Sequence, residues 1–261
     1  MDLDQFDVVQ RCIGQTLTPL ERCNIECGII QRRAEEGLDF VQFWGRICGE
    51  SSDYLFVVAL INGNPFPKKK FYFCTDTLSV LQQLPDADTT KLDTINLWST
   101  RRFQGDPSLL LKEDDSSVTE LDRLAHVVRE IDSTIAIIPS GAYIISSSRQ
   151  ILRNSYFGGL KWNEAMNVNS FFHFKEPDDI DWGNTSLPTG ENLVHIRTVL
   201  KSVQQDLAGS WVLNKDNTGT YVTLRCLFFP GSFVFHQPET RIFGSVYFGL
   251  GIKNSDLFYM L

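Results

Sequence analysis

Ten of the last 41 residues of this chain, Tyr221 to Leu261, are Phe or Tyr, about twice the 12% aromatic share of the whole sequence. Side chains of that size at that density are buried, in a core or at an interface. Asn217 to Gly219, Pro230-Gly231, Gln237-Pro238 and Lys253-Asn254 are turn signals. From Trp211 onward they leave four runs rich in β-branched and aromatic residues: Trp211–Leu213, Tyr221–Phe229, Phe233–His236 and Ile242–Leu250. Such runs with short connections predict an antiparallel meander. No residue among them has an obvious chemical task.

The remaining pattern alternates between helix and strand periods. It predicts an α+β fold: an antiparallel β-sheet core with several packed helices and an N-terminal helical segment, residues 1–37. Asp4 to Ile13 is a short amphipathic helix. Thr18-Pro19-Leu20-Glu21 is a capping box opening a helix that stops at Gly37, and Gly28 inside it makes the helix dependent on packing. Phe40 to Gly49, Tyr54 to Ile61 and Lys68 to Cys74 read as strands, the second buried on both faces. Asp76 to Leu84 reads as a helix and Leu97 to Phe103 as a strand. Residues 112–116 form a polar linker between sub-regions 38–111 and 117–261 of a single domain. Ser117 to Glu120 is a second capping box; behind it Leu121, Leu124, Val127, Val128 and Ile131 form a helical stripe, with Asp122, Arg123, Arg129 and Glu130 off it. Thr134 to Ile138 reads as a strand, Leu160 to Val168 as a short helix, Phe171 to Phe174 as extended, Lys175 to Pro188 as a loop, and Glu191 to Leu207 as a helix.

Chemistry is sparse. The net charge of −8 argues against nucleic acid or an anionic membrane as partner. The acidic start carries no signal-peptide pattern, and no apolar run reaches the length of a membrane span. Free thiols in a reducing compartment are expected, leaving the Asn184 sequon unused. Cys23 and Cys27 share a helix face but lack the other half of a metal site, so they read as small residues on a packed face. His126, His173, His195 and His236 are dispersed; the alternative is a small cytosolic enzyme or ligand-binding domain with a pocket uniting His173, His236 and a carboxylate. Lys68-Lys69-Lys70 reads as a guarded strand edge. No phosphate loop or nucleophile elbow occurs, so no catalytic residue, metal or cofactor is assigned.

Several blocks carry a family resemblance. They are Phe43-Trp44-Gly45-Arg46-Ile47-x-Gly49 followed by Asp53-Tyr54, Arg102-Phe103-x-Gly105-Asp106-Pro107-Ser108, Ala136-Ile137-Ile138-Pro139-x-Gly141-Ala142, Phe172-His173-Phe174-Lys175-Glu176-Pro177, Leu224-Arg225 with Pro230-Gly231, and Tyr247-x-Gly249-x-Gly251-x-Lys253-Asn254-x-Asp256-Leu257. In this order they resemble the radial spoke head protein nine family of ciliary axonemes. Phe229, Cys226 and Ser140 stand where that family usually has Trp, Ser and Arg. The related head proteins four and six share some blocks but are generally much longer.

The resemblance implies a non-enzymatic subunit of the axonemal radial spoke head in cilia or flagella. Such a subunit helps pass central-pair signals to dynein arms, and it packs in a hetero-oligomer with paralogues four and six and other head subunits. A cilium assembly adaptor is a weaker alternative. One face of the C-terminal strands is then expected to fill the core while the other face or an edge meets a paralogous chain. Phe228, Phe229, Pro230, Phe233 and Phe235 are the candidate interface.

Overall fold

The computed structural model describes residues 1–38, 40–61, 63, 66–75, 80–112, 115–146, 150–175, 180 and 199–260. In chain order the elements are helices α1 (Phe6–Ile13) and α2 (Pro19–Glu36), strands β1 (Phe40–Ile47), β2 (Tyr54–Ile61), β3 (Lys68–Thr75) and β4 (Gln82–Gln83), helix α3 (Leu92–Leu97), strands β5 (Leu110–Lys112) and β6 (Asp115–Thr119), helix α4 (Glu120–Ile135), strands β7 (Ile137–Pro139), β8 (Tyr143–Ile145) and β9 (Ile151–Arg153), helix α5 (Trp162–Ala165), strands β10 (Phe171–Phe174), β11 (Leu200–Ser202), β12 (Trp211–Lys215), β13 (Val222–Cys226), β14 (Ser232–His236) and β15 (Phe243–Gly249), and helix α6 (Leu257–Met260).

The aromatic runs become β12 to β15, paired antiparallel in chain order as their turns predict. β1 to β4 make a second antiparallel meander. A single parallel pair, β15 against β1, joins the two into one eight-stranded sheet of order β12-β13-β14-β15-β1-β2-β3-β4. The class is α+β as expected, but the sheet is mixed rather than wholly antiparallel. Residue pairing along the parallel seam is Gly45 with Tyr247, Arg46 with Phe248 and Ile47 with Gly249.

Both faces of this sheet are covered. On one, Val41, Phe43, Leu55, Val57, Tyr72, Phe233, Phe235, Val246 and Phe248 pack against Phe6 and Val9 of α1 and Ile25 and Ile29 of α2. On the other, Trp44, Ile47, Tyr54, Phe56, Phe73 and Tyr247 meet Leu124, Val128, Ile131 and Ile135 of α4. Further along that face, Val222, Leu224 and Val234 lie beneath Ile137 and Phe171 of a small sheet ordered β11-β10-β7. β2 is buried on both faces because it is central and both faces are roofed.

The block Phe43 to Ile47 makes the two meanders one sheet. Phe43 pairs with Val57 and Gly45 with Phe56, so Trp44 is the extra residue of a β-bulge. The bulge reverses the side-chain parity that follows it. Phe43 faces α1 and α2; Trp44 faces α4, where its Nε1 donates to Asp132 Oδ1 at 3.0 Å. Arg46 then points back to α2 and donates to Glu21 at 2.7 Å and to Asp53 at 3.3 Å, while Ile47 enters the α4 core. At Gly45 a Cβ would stand 2.3 Å from the Tyr247 carbonyl oxygen, so only glycine lets β15 approach.

α4 also clasps the block Arg102 to Ser108. Glu120, fully buried at the first position of α4, accepts from the Tyr54 hydroxyl at 2.7 Å, from Gln104 N–H at 2.9 Å and from Gly105 N–H at 2.9 Å. Arg123 is buried too, 3.9 Å over the Phe103 ring, with Nη2 donating to the Arg101 carbonyl. Burial lowers its pKa to about 10, against the pull of Glu120. This corrects the expectation that Arg123 lies off the buried stripe.

Other expectations shift for physical reasons. The cap of α4 is Thr119 with Asp122, not Ser117 with Glu120, because Glu120 is committed to the 104–105 backbone. Within the linker 112–116, Lys112 and Asp115 pair in the hairpin β5–β6, and residues 113–114 lie outside the described residues. The predicted helix Asp76 to Leu84 is not found: residues 76–79 lie outside the described residues, and Gln82–Gln83 is strand β4. Leu81 beside it packs on Gly28, where a Cβ would be 2.7 Å from Leu81 Cδ1, which is the packing α2 needed. Leu97 to Phe103 is not a strand; α3 ends at Leu97 and turns continue to Arg101. α4 runs on to Ile135, shortening the strand expected at Thr134. The helix expected over Glu191 to Leu207 is contradicted where described, since Leu200–Ser202 is β11, paired with β10; residues 191–198 lie outside the described residues, as does most of the loop Lys175 to Pro188. Lys69 and Lys70 are less free than a guarded edge implies: Lys69 pairs with Asp132 of α4, and Lys70 with Glu36 of α2 at 3.0 Å.

Candidate protein-interaction surface

The turn between β13 and β14 rises from the seam. Leu224-Arg225-Cys226 is extended, Phe228-Phe229 leave the strand, and Pro230-Gly231 reverse the chain, closed by Ser232 N–H donating to the Phe229 carbonyl at 3.1 Å. Gly231 has φ +102°, and a Cβ there would stand 2.2 Å from the Phe248 carbonyl oxygen, so no side chain fits. Residues 251–256 run alongside, with Asn254 N–H donating to the Phe228 carbonyl at 2.8 Å.

The five candidate interface residues separate. Phe233 and Phe235 are one strand period apart, face α1 and α2, and are fully buried. Phe229 is buried on the opposite face beside Tyr247 and α4. None of these three presents surface to another chain. Phe228 is half-buried, stacked edge-on against Phe229 at 5.4 Å with Lys253 Nζ 4.5 Å above its ring. Pro230 is exposed. Phe229 and Cys226, two of the departures from the family pattern, therefore fall in the core.

Pro230 and Gly231 form a ridge between two open grooves. One, of about 370 Å³, is lined by Ile13, Arg225, Leu227, Pro230, Phe248 and Asn254 among others. The second, of about 550 Å³, is lined by Thr100, Pro230, Leu250, Ile252, Lys253 and Asp256 among others. Leu227 and Leu250 are exposed large apolar side chains on either side of the ridge. Sequence reasoning missed both; the position of Leu227 shortly before Pro230-Gly231 and of Leu250 between Gly249 and Gly251 was the available signal. An apolar ridge with a rim of Arg225, Lys253 and Asp256 is the composition of a protein contact. It offers little for chemistry: burial raises the Cys226 thiol, keeping it in its unreactive form.

His173 and His236 do not converge. His236 is fully buried, its Nδ1–H donates to the Ile242 carbonyl at 3.0 Å and its Nε2 accepts from Leu160 N–H at 3.1 Å, so both ring nitrogens are used. Burial lowers its pKa, against the Ile242 bond. His173 is held elsewhere, by Asp206 at 2.9 Å. His126 is half-buried on α4, and His195 lies outside the described residues. Among the described residues no group of three or more His, Cys, Asp or Glu is placed to hold a metal, and no helix is long and apolar enough to cross a membrane. Cys23 and Cys27 are exposed, which corrects their placement on a packed face.

Asp206 ties the small sheet to the large one. It accepts from His173 on β10, from Lys201 on β11 at 2.8 Å and from Trp211 Nε1 on β12 at 3.0 Å. Burial alone would raise its carboxyl, but the donors, His173 and Lys201 foremost, hold it well below the usual carboxylate range. A depressed folded-state pKa stabilises the fold above the unfolded value of about 3.9 and is lost on acidification below it. Asp206→Asn should therefore lower the urea midpoint at pH 7 and converge with the unmodified protein as pH falls from about 4 toward 2. A gap that stays constant across that range would show that Asp206 does not carry the effect.

No protein-family model matches this chain. Among curated proteins it is 32% identical to the radial spoke head protein 9 homolog of Homo sapiens, over 95% of this chain and 94% of that protein. The identity is 31% to the proteins of the same name in Danio rerio and Bos taurus, with the same shares of both chains covered.

Proposed function

This chain belongs to the radial spoke head protein 9 family, and from that membership we propose that it serves as a non-catalytic scaffold of the radial spoke head in the axoneme of cilia or flagella. There it helps convey central-pair signals to the dynein arms, packed against paralogues four and six and other head subunits. The observation that carries this reading is the end-to-end similarity, over 95% of the chain, to proteins named for that assembly. The fold agrees with a scaffold. The glycines of the family-like blocks serve close backbone packing: Gly45 admits β15 at the parallel seam, Gly231 lies against the Phe248 carbonyl, and Gly105, with Gln104, donates its N–H to Glu120 of α4.

The contact surface we assign is the Pro230 ridge with Leu227, Phe228 and Leu250. Cross-linking of isolated axonemes through the exposed Lys253 amine, which sits in the second groove, is expected to join this chain to other spoke head subunits. Leu250→Asp should leave the unfolding free energy within about 0.5 kcal/mol, as surface changes do, yet reduce incorporation into axonemes. Recovery of the protein only in the detergent-soluble fraction of ciliated cells would sink the spoke-head reading itself. Normal incorporation of Leu250→Asp would remove only this surface.

A further inference from the structure

Helix α2 is apolar on two opposite sides. Its inner side buries Ile25, Gly28 and Ile29 against the sheet. On its outer side Leu20, Cys23, Cys27, Ile30 and Ala34 are all exposed, Leu20 at 70% and Ile30 at 66%. Single exposed apolar residues are ordinary. These five follow steps of three, four, three and four, the spacing of a coiled-coil seam, along nearly the whole of an 18-residue helix. At 100° per residue the outer stripe lies nearly diametrically opposite the inner one, so it faces straight away from the chain's own core. A stripe with that period is matched by another helix.

We propose that this face pairs with the same helix of a second copy of the chain, antiparallel about a twofold axis. The flanks of the stripe identify the occupant. Glu26 and Arg33 border one side, Asn24 and Gln31 the other. In an antiparallel pair centred between Cys27 and Ile30, Cys27 lies opposite Ile30 of the second copy and Cys23 opposite Ala34. That register sets Glu26 beside Arg33 of the second copy and Asn24 beside Gln31, each pair occurring twice by symmetry. The alternative centre, between Cys23 and Cys27, sets Glu26 against Glu26, and a parallel pair leaves Arg33 without an acidic neighbour. Glu26 already pairs with Arg22 along its helix at 2.9 Å, so Arg33 of the second copy completes a network of three charges. Arg33 is steadied by donating to the Val41 carbonyl at 3.1 Å.

One pair of helices this short buries less than the about 1,200 Å² at which stable interfaces begin. The isolated dimer is therefore weak, with Kd on the order of 10–100 µM. This inference rests on the fold and the surface of α2, not on the proposed place in the axoneme.

Sedimentation equilibrium of the full chain, with reductant present to keep the cysteines from cross-linking and from about 1 to about 200 µM, tests it. The unmodified protein should pass from monomer to dimer. Leu20→Asp with Ile30→Asp should remain monomeric throughout. Glu26→Arg should weaken association roughly tenfold, and adding Arg33→Glu should restore it. The charge exchange decides the matter even if the double aspartate variant folds poorly, because only a cross-seam pair is rescued by reversing both charges. A monomer at every concentration, a dimer indifferent to these substitutions, a failed rescue, or an unlike helix cross-linked to α2 in axonemes would each overturn the proposal.

Discussion

Glu120→Ala is expected to lower the unfolding free energy by about 3–5 kcal/mol, the cost of breaking a buried, hydrogen-bonded charged group. Among the described residues the carboxylate is the acceptor for three donors: the Tyr54 hydroxyl, Gln104 N–H and Gly105 N–H. Alanine leaves the buried Tyr54 hydroxyl and the two half-buried amides without it and removes the negative charge from the N-terminus of α4. Burial, and then the bond to Glu120, raise the Tyr54 phenol far above its ordinary pKa, so the hydroxyl stays protonated as a donor to the carboxylate. Glu120→Gln should cost less, since an amide oxygen still accepts, but its NH₂ must face one of the donors. Urea denaturation of both variants measures the difference. A loss below about 1 kcal/mol for alanine would mean that water or a rearranged 104–105 backbone replaces the carboxylate.

Gly45→Ala is expected to cost about 3 kcal/mol, the upper end of overpacking penalties, and to weaken the bond between the two meanders. The added methyl meets backbone, the Tyr247 carbonyl oxygen at 2.3 Å and its nitrogen at 2.9 Å, and no rotamer can relieve that. Gly158→Ala is the control, because nothing lies within 4 Å of its Cβ position. Hydrogen exchange should show faster opening of β1 and β15 in the Gly45 variant than in the unmodified chain. Equal stability of the two variants would show that the seam is slack enough to move aside.

Much of the fold was legible because it is local. The capping box Thr18 to Glu21, the Gly37 stop, the Pro230-Gly231 reversal and the four aromatic runs each depend on residues within a few positions of one another. The failures mark where neighbours far along the chain took over. Gln82–Gln83 is a strand because β3 supplies partners, and Leu200–Ser202 is a strand because β10 does. Ser117-Val118-Thr119-Glu120 matched a capping box, but the backbone of Gln104 and Gly105 competes for Glu120 and wins. Arg123 looked like a solvated residue; its burial follows from Phe103 and the Arg101 carbonyl lying across the helix.

The candidate surface was legible in place but not in membership. Turn chemistry located Pro230, yet periodicity could not tell which aromatic faces water, because both sides of the sheet are roofed. Phe233 and Phe235 share a face by strand period alone; that α1 and α2 cover that face is set by a helical segment about two hundred residues earlier in the chain.

The sequence by itself determined the elements whose causes are short-range: the cap and stop of α2, the turns of the C-terminal meander, that meander itself, and the six blocks that mark the family. The tertiary structure alone decided how the aromatic stretch is used. The bulge at Trp44 reverses parity, Gly45 admits β15 at a parallel seam, and helices from the N-terminal half roof the strands. Side-chain direction, burial and exposure depend on which distant segment arrives on each face, and no local pattern encodes that arrival.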